Sequence, residues 1–313
     1  MRIAIFGSGS VGGYFGGRLA QAGEDVVFIA RGEHLKAMLK SGLRVDSING
    51  NFVVEPVHAT DDPPSTGIVD LVIVGVKAWQ VSEAAEAMRP LVGPETVVLP
   101  LQNGLEAPDD LAEIIGSQRV LGGLCGLFCY VTEPGHIVHA GTDPFIKFGE
   151  LDNHRSQRVE LLLEKFKRAG VNAEIPPDIQ VAMWMKFLLI AVWSGIGAAT
   201  RSPVGIWRSL PETRSMAEKG LMEIIAVAKS RNILLPAEAL QMTMAMYDGL
   251  APDSTASLQR DITGGRPSEL EAQIGAVVRF GQKSDVETPQ HTFIYHSLMP
   301  LELRARGQLQ FNP

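Results

Sequence analysis

Cysteine is nearly absent from this chain. Its 313 residues contain 2, Cys125 and Cys129, and these do not form a C-x-x-C pair. That excludes a disulfide framework and suits a reducing compartment, so a cytoplasmic protein is expected. Positive charge is not in excess either. A net charge of -7 argues against a nucleic-acid partner, although local basic residues can still meet an anionic substrate. The N-terminal apolar run is too short for a signal peptide and leads straight into a glycine-rich turn. The most apolar stretch, residues 183–199, carries Lys186 and is expected to be too short and too polar to cross a membrane. Internal repeats and low-complexity tracts are missing. The composition, 45% hydrophobic and 20% charged, is that of a soluble globular protein. The length exceeds what one core usually serves, so two domains are expected.

What is present begins at residue 2. Residues 2–6 read as a short buried parallel strand. Gly7-Ser8-Gly9-Ser10-Val11-Gly12 follows at once in the G-x-G-x-x-G pattern, and Tyr14, Phe15, Leu19 and Ala20 then recur at helical spacing. Strand, glycine turn and helix together are the context a dinucleotide-binding turn requires. Gly7 would permit the tight turn, Gly9 would let backbone approach a pyrophosphate, and Gly12 would let the helix pack on the strand. The helix N-terminus would offer free N–H groups and a positive dipole end to the phosphates. Residues 25–30 read as the second strand, ending at Arg31. An acidic residue there would hold a ribose 2′-hydroxyl, whereas Arg31 can pair with a 2′-phosphate, so NADPH is the expected cofactor.

Further along, residues 43–57 read as a strand pair around the hairpin dipeptide Asn49-Gly50. The strongly apolar residues 69–76 read as a buried strand ending in Lys77-Ala78-Trp79-Gln80, and residues 96–101 as another ending in Gln102-Asn103-Gly104. Lys77 and Asn103 thus fall at the C-terminal edge of the sheet, where doubly wound folds bind ligands. Residues 120–131 and 136–148 are expected to be strands that close the first domain. His136 and His139 form an H-x-x-H, but residues three apart on a strand point to opposite faces, so no metal site is expected. The two cysteines read as packing thiols. Residues 157–169 form an amphipathic helix with Leu161, Leu162 and Phe166 turned inward, and Pro176-Pro177 marks a domain boundary. The expected division is residues 1–177, a Rossmann-like domain, and residues 178–313, an all-helical one. Helices are expected over 179–199, 211–231, 236–250, 269–281 and 288–305, with Met242, Met244 and Met246 in the core.

Over nearly its whole length the chain resembles the ketopantoate reductases (2-dehydropantoate 2-reductases). The matching motifs are the glycine turn extended through Gly13-Tyr14-Phe15-Gly16, Val76-Lys77-Ala78-Trp79-Gln80, Gln102-Asn103-Gly104, Met183-Trp184-Met185-Lys186-Phe187, Ser257-Leu258-Gln259-Arg260-Asp261-Ile262 and Gly265-Arg266-Pro267-Ser268-Glu269-Leu270. The resemblance implies reduction of a 2-keto acid by NADPH, in a cleft between a Rossmann domain and a helical domain. It implies that Lys186 is the catalytic lysine and that Glu269 binds substrate in the catalytic set. It places Asn103 and Lys77 beside the nicotinamide and the reacting carbonyl, and Ser257 on the substrate. The chemistry is sensible by itself: hydride reaching a keto carbon leaves negative charge on oxygen, which a cationic lysine stabilises and protonates. The family usually carries asparagines four and eight residues after the lysine; here Ile190 and Ser194 stand there, on the same helical stripe. A substrate hydroxyl would lose hydrogen bonds at those positions. A D-2-hydroxy acid dehydrogenase acting on a more apolar substrate is therefore the alternative enzyme, and a dinucleotide-binding regulator without turnover the alternative from another class. The sequence leaves the oligomeric state open, a homodimer included.

Overall fold

The computed structural model describes residues 1–311. The chain divides into two compact units, Met1–Gln102 with Ala107–Ala182, and Asn103–Glu106 with Met183–Pro313.

The first unit is built on a parallel sheet. Its strands are β1 (Arg2–Phe6), β2 (Asp25–Ile29), β5 (His58–Thr60), β6 (Val69–Val74) and β7 (Val92–Pro100), in the order β5-β2-β1-β6-β7. The helices α1 (Ser10–Gln21), α2 (Gly32–Ser41), α3 (Val81–Met88) and α4 (Ala107–Ile115) lie between or after them in the chain. Alternate residues of one strand feed two different cores. Ile3, Ile5, Leu71 and Ile73 belong to one cluster, while Ala4, Phe6, Val72 and Val74 belong to another. Burial on both faces is why these strands read as continuous apolar runs rather than alternating ones. The sheet reverses its winding between β1 and β6, so the C-terminal ends of those two strands form the switch point where this architecture binds ligands.

Two smaller sheets complete the unit. The hairpin strands β3 (Leu43–Ser47) and β4 (Phe52–Val54) turn at Asn49-Gly50 as expected, and join β9 (Cys129–Glu133) and β10 (His136–His139) in the order β4-β3-β10-β9. β8 (Gly122–Gly126), β11 (Phe145–Gly149) and β12 (Asn172–Glu174) form a sheet in the order β12-β11-β8. The two long strands expected over 120–131 and 136–148 are therefore each broken, and their halves serve different sheets. Breakers explain this: Gly126 ends β8, and a turn with Gly141 at φ 83° and Pro144 separates β10 from β11. In α5 (Gln157–Arg168) the buried face is Val159, Leu162 and Phe166, whereas Leu161 is exposed, contrary to expectation. The 3.6-residue period puts 159, 162 and 166 on one side and 161 off it.

The second unit is helical: α6 (Ile179–Thr200, whose first four residues belong to the first unit), α7 (Val204–Trp207), α8 (Pro211–Ser230), α9 (Ala239–Gly249), α10 (Ser257–Thr263), α11 (Ala276–Lys283) and α12 (Pro289–Ala305). At 22 residues α6 is long and apolar enough to cross a membrane, so the expectation that it is too short and too polar is wrong on length and composition. Its apolar side chains Phe187, Leu188, Ala191, Val192 and Ile196 lie instead in the core of this unit, with Trp207 of α7 and Leu221 and Ile224 of α8. The methionines of α9 also need correction. Met244 is buried, but Met242 and Met246 are exposed, because Thr243, Met244 and Tyr247 occupy the inward face. The helix expected over 269–281 opens as a π-helical turn, Glu271–Gly275, before α11 begins.

Candidate active site

In the first unit the glycine turn joins β1 to α1 at the switch point. Gly7 has φ 96°, a left-handed conformation that L side chains rarely adopt. A Cβ on Gly12 would sit 2.2 Å from the Gly7 carbonyl oxygen, so the helix can approach the strand only through glycine. A Cβ on Gly9, by contrast, would meet nothing within 4 Å. That open space lies beside the N-terminus of α1, which has no side-chain cap and no acidic residue in its first turn. The N–H groups of Ser10 and Val11 precede the first i→i−4 bond, which Gly13 donates to Gly9 at 2.7 Å. Open space at Gly9 beside the N–H groups of the helix N-terminus fits the pyrophosphate of a dinucleotide.

Ser8 is buried, and its hydroxyl donates to the Ile29 carbonyl oxygen at 3.0 Å, tying the turn to the end of β2. Arg31 follows as the residue that enters α2; its exposed guanidinium donates to Glu83 at 3.2 Å. Lys77 follows β6 and is exposed, with Nζ 5.8 Å from the centre of the Trp79 ring. Sequence reasoning missed His34. Its Nδ1 accepts from the Gly135 N–H at 3.1 Å, so Nε2 carries the proton and donates to the Ser8 carbonyl oxygen at 2.9 Å. Burial pushes its pKa below the ordinary histidine value, against the opposing effect of the Ser8 carbonyl. Gln102, also missed, plays a comparable part. Its Nε2 donates to the carbonyls of Val74 and Val76, at 2.9 and 3.0 Å, and so fixes the chain just before Asn103. Neither His34 nor the Gln102 amide could be given a role from a motif, because only the fold brings their partners near.

In the second unit Lys186, Ile190 and Ser194 follow one another along α6. Lys186 and Ile190 are half-buried and Ser194 is 2% exposed. The ammonium of Lys186 makes no ion pair among the described residues. The helix is held from behind by the buried Tyr247, whose hydroxyl donates to the Leu189 carbonyl oxygen at 2.8 Å. Glu269 is 6% exposed and lies two residues before the π turn. Asn103 Nδ2 and Gln273 Nε2 each lie 3.4 Å from the same oxygen, Oε2. The amides partly satisfy a carboxylate that burial would otherwise penalise. Gln273 was not anticipated. Its own Oε1 is buried without a partner among the described residues. Ser257 is the first residue of α10 and is half-buried.

The peptide before Glu269 is also locked. Glu302, 2% exposed on α12, accepts from the Ser268 N–H at 3.1 Å and from the Ser268 hydroxyl at 2.6 Å. Arg306 donates to Glu302 at 2.6 Å and to the Ser268 carbonyl oxygen at 3.0 Å.

Known proteins share both parts of this architecture. Residues 3–153 match the family described as "Ketopantoate reductase PanE/ApbA", and residues 178–302 match "Ketopantoate reductase PanE/ApbA C terminal". A 2-dehydropantoate 2-reductase from a Nostoc species is 31% identical over 98% of each chain. The chain belongs to the ketopantoate reductase family. It is thus an oxidoreductase that uses a dinucleotide and acts on a 2-keto acid, with the Rossmann-type and helical parts expected of it. The crystal structure of 2-dehydropantoate 2-reductase from Geobacter metallireducens superposes with a TM-score of 0.87 at 32% identity, covering 96% of this chain and 99% of that one. D-mandelate dehydrogenase, in a ternary structure with NADH and anilino(oxo)acetate, shares the fold with a TM-score of 0.90 at 22% identity, covering 98% and 99%.

Proposed function

We propose that this protein reduces a 2-keto acid to the 2-hydroxy acid with NADPH, as 2-dehydropantoate 2-reductase or a close paralogue. The observation that carries the reading is that the helical unit holds both a lysine whose ammonium makes no ion pair among the described residues and a buried carboxylate held by two amides. A reduced nicotinamide, when bound, supplies the hydride. Negative charge then develops on the carbonyl oxygen, and Lys186 stabilises it and delivers a proton from Nζ. The lysine recovers that proton from solvent, so the net reaction consumes one proton per turnover. Glu269 accepts a hydrogen bond from the substrate, and Asn103 holds both Glu269 and the reacting group in register. Lys77 lies at the nicotinamide end, and Ser257 serves the substrate.

Gly7, Ser8, Gly9, Ser10, Val11 and Gly12 form the pyrophosphate turn in this reading, with Ser8 acting through its backbone. Arg31 takes the 2′-phosphate. Its pair with Glu83 is exposed, so giving it up costs at most about 1 kcal/mol. A phosphate with two ionised oxygens replaces it with stronger, charge-assisted bonds.

Ile190 favours a second reading, a dehydrogenase for D-2-hydroxy acids with apolar side chains. One experiment separates the alternatives: NADPH and NADH oxidation followed with ketopantoate and with branched-chain and aromatic 2-keto acids. Turnover with NADPH and at least one of these acids supports the proposal. Equal use of NADH contradicts the assignment of Arg31, and binding of NADPH without turnover of any acid contradicts the enzyme reading.

A further inference from the structure

Only four residues, Asn103–Glu106, leave the first unit to join the helical one, and Asn103 is the first of them. Something must hold so short a segment against the helices if the Asn103 amide is to meet Glu269. Gly104 lies on the π turn: its φ is 117°, and a Cβ there would stand 2.9 Å from the Ala272 carbonyl oxygen. Leu105 packs against the helical core. At the far end of the segment Glu106 Oε2 accepts from Arg279 Nη2 at 2.6 Å. The same guanidinium donates from Nη1 to Glu271 Oε2 at 2.8 Å and from Nη2 to the Glu271 carbonyl oxygen at 3.0 Å. Tyr295 of α12 completes the arrangement by donating its hydroxyl to Glu271 Oε1.

We propose that Arg279 is a positioning residue, a clasp that fixes the Asn103 segment to the π turn and thereby sets the contact between Asn103 and Glu269. The planar fork suits this role, because it reaches three acceptors on two separate segments, which a lysine ammonium on a flexible stem does less well. The π turn contributes its geometry. It begins two residues after Glu269, carries Glu271, Ala272 and Gln273, and so offers the clasp, the floor for Gly104 and the second amide on Glu269 within five residues. Such turns recur at functional sites because the extra residue re-aims side chains. Arg279 itself touches neither Asn103 nor Glu269, so its influence runs through the backbone of the segment. The proposal rests on the reading that Glu269 binds the keto acid.

The test is a double-mutant cycle on the full-length enzyme. Arg279→Met is expected to lower kcat/KM for the keto acid roughly tenfold, with NADPH affinity unchanged and Arg279→Lys in between. In an Asn103→Ala background the same change should add less than about twofold, because the clasp acts through Asn103. Equal effects in both backgrounds would overturn the proposal. A second measurement needs no turnover: amide hydrogen exchange at Gly104 and Leu105 should accelerate in Arg279→Met and in Glu106→Gln, the latter a milder change at a half-buried side chain. Unchanged exchange in both variants would sink the clasp whatever the activity. Faster exchange in an enzyme whose native form turns over no keto acid would leave the clasp standing and sink the reading of the site.

Discussion

The side-chain amide of Asn103 lies 3.4 Å from Oε2 of Glu269, although 166 residues separate them in the chain. Gln273, four residues after Glu269, reaches the same oxygen at the same distance. Both contacts are long for hydrogen bonds, as is common in sites that tighten only around substrate.

Gln273→Leu tests this arrangement. The change removes one donor to Glu269 and also removes a buried carbonyl oxygen that has no partner among the described residues. The two effects oppose each other in stability. The melting temperature is expected to stay within a few degrees of native, while kcat/KM for the keto acid falls about tenfold. A large loss of stability with unchanged kcat/KM would mean that Gln273 only packs.

The glycine turn predicts opposite outcomes for two similar substitutions. Gly12→Ala forces a methyl to within 2.2 Å of a backbone oxygen, so it should destabilise the protein by about 1–3 kcal/mol or more. Gly9→Ala meets no atom within 4 Å and should leave the melting temperature nearly unchanged. It should nevertheless weaken dinucleotide binding, since the methyl enters the space assigned to the pyrophosphate. Thermal melts and cofactor titration check both; native cofactor affinity in Gly9→Ala would contradict the placement.

His34 predicts a pH dependence. Burial holds its pKa below the ordinary value of 6.5, so the folded protein keeps the ring neutral where the unfolded chain would already bind a proton. The stabilisation from this group is complete above about pH 6.5 and is lost as the pH falls from there towards the lowered folded value. His34→Gln keeps one donor and one acceptor but cannot titrate. The drop in melting temperature between about pH 7 and about pH 5 should therefore be smaller in His34→Gln than in the native protein. An identical drop would show that other groups dominate acid lability.

Much of the molecule is legible in the chain. The glycine turn, the continuous apolar strands and the order of motifs point to the two-part architecture, because each is a local pattern with a local cause. The failures have a common origin too. Glycine and proline break the apolar runs within residues 120–148, but only long-range pairing decides which half joins which sheet. Hydrophobicity alone turns Leu161, Met242 and Met246 inward, while helical phase and neighbouring helices turn them outward. The π turn after Glu269 leaves no mark in the sequence, and Gln273 is hidden with it. His34, Gln102 and Arg279 serve the site through partners on other elements, which no one-dimensional pattern reveals.

Substrate choice follows from α6. Ile190 is half-buried and offers no hydrogen bond, while Ser194 is 2% exposed. The protein should turn over branched-chain or aromatic 2-keto acids with a kcat/KM within about a hundredfold of that for ketopantoate, or above it. Ile190→Asn should shift the ratio towards ketopantoate. A native preference for ketopantoate of more than about 10² would contradict this reading of the helix and move hydroxyl recognition to other residues.

The central claim is that Lys186 carries the proton transfer, and turnover in Lys186→Met tests it most directly. Methionine keeps an unbranched apolar stem one atom shorter and loses the ammonium, so the packing of α6 should be preserved. With native cofactor affinity verified, the account predicts a fall in kcat of roughly 10² or more for the best 2-keto acid. Near-native turnover would show that the lysine merely extends to solvent from an apolar helix, and would contradict the account.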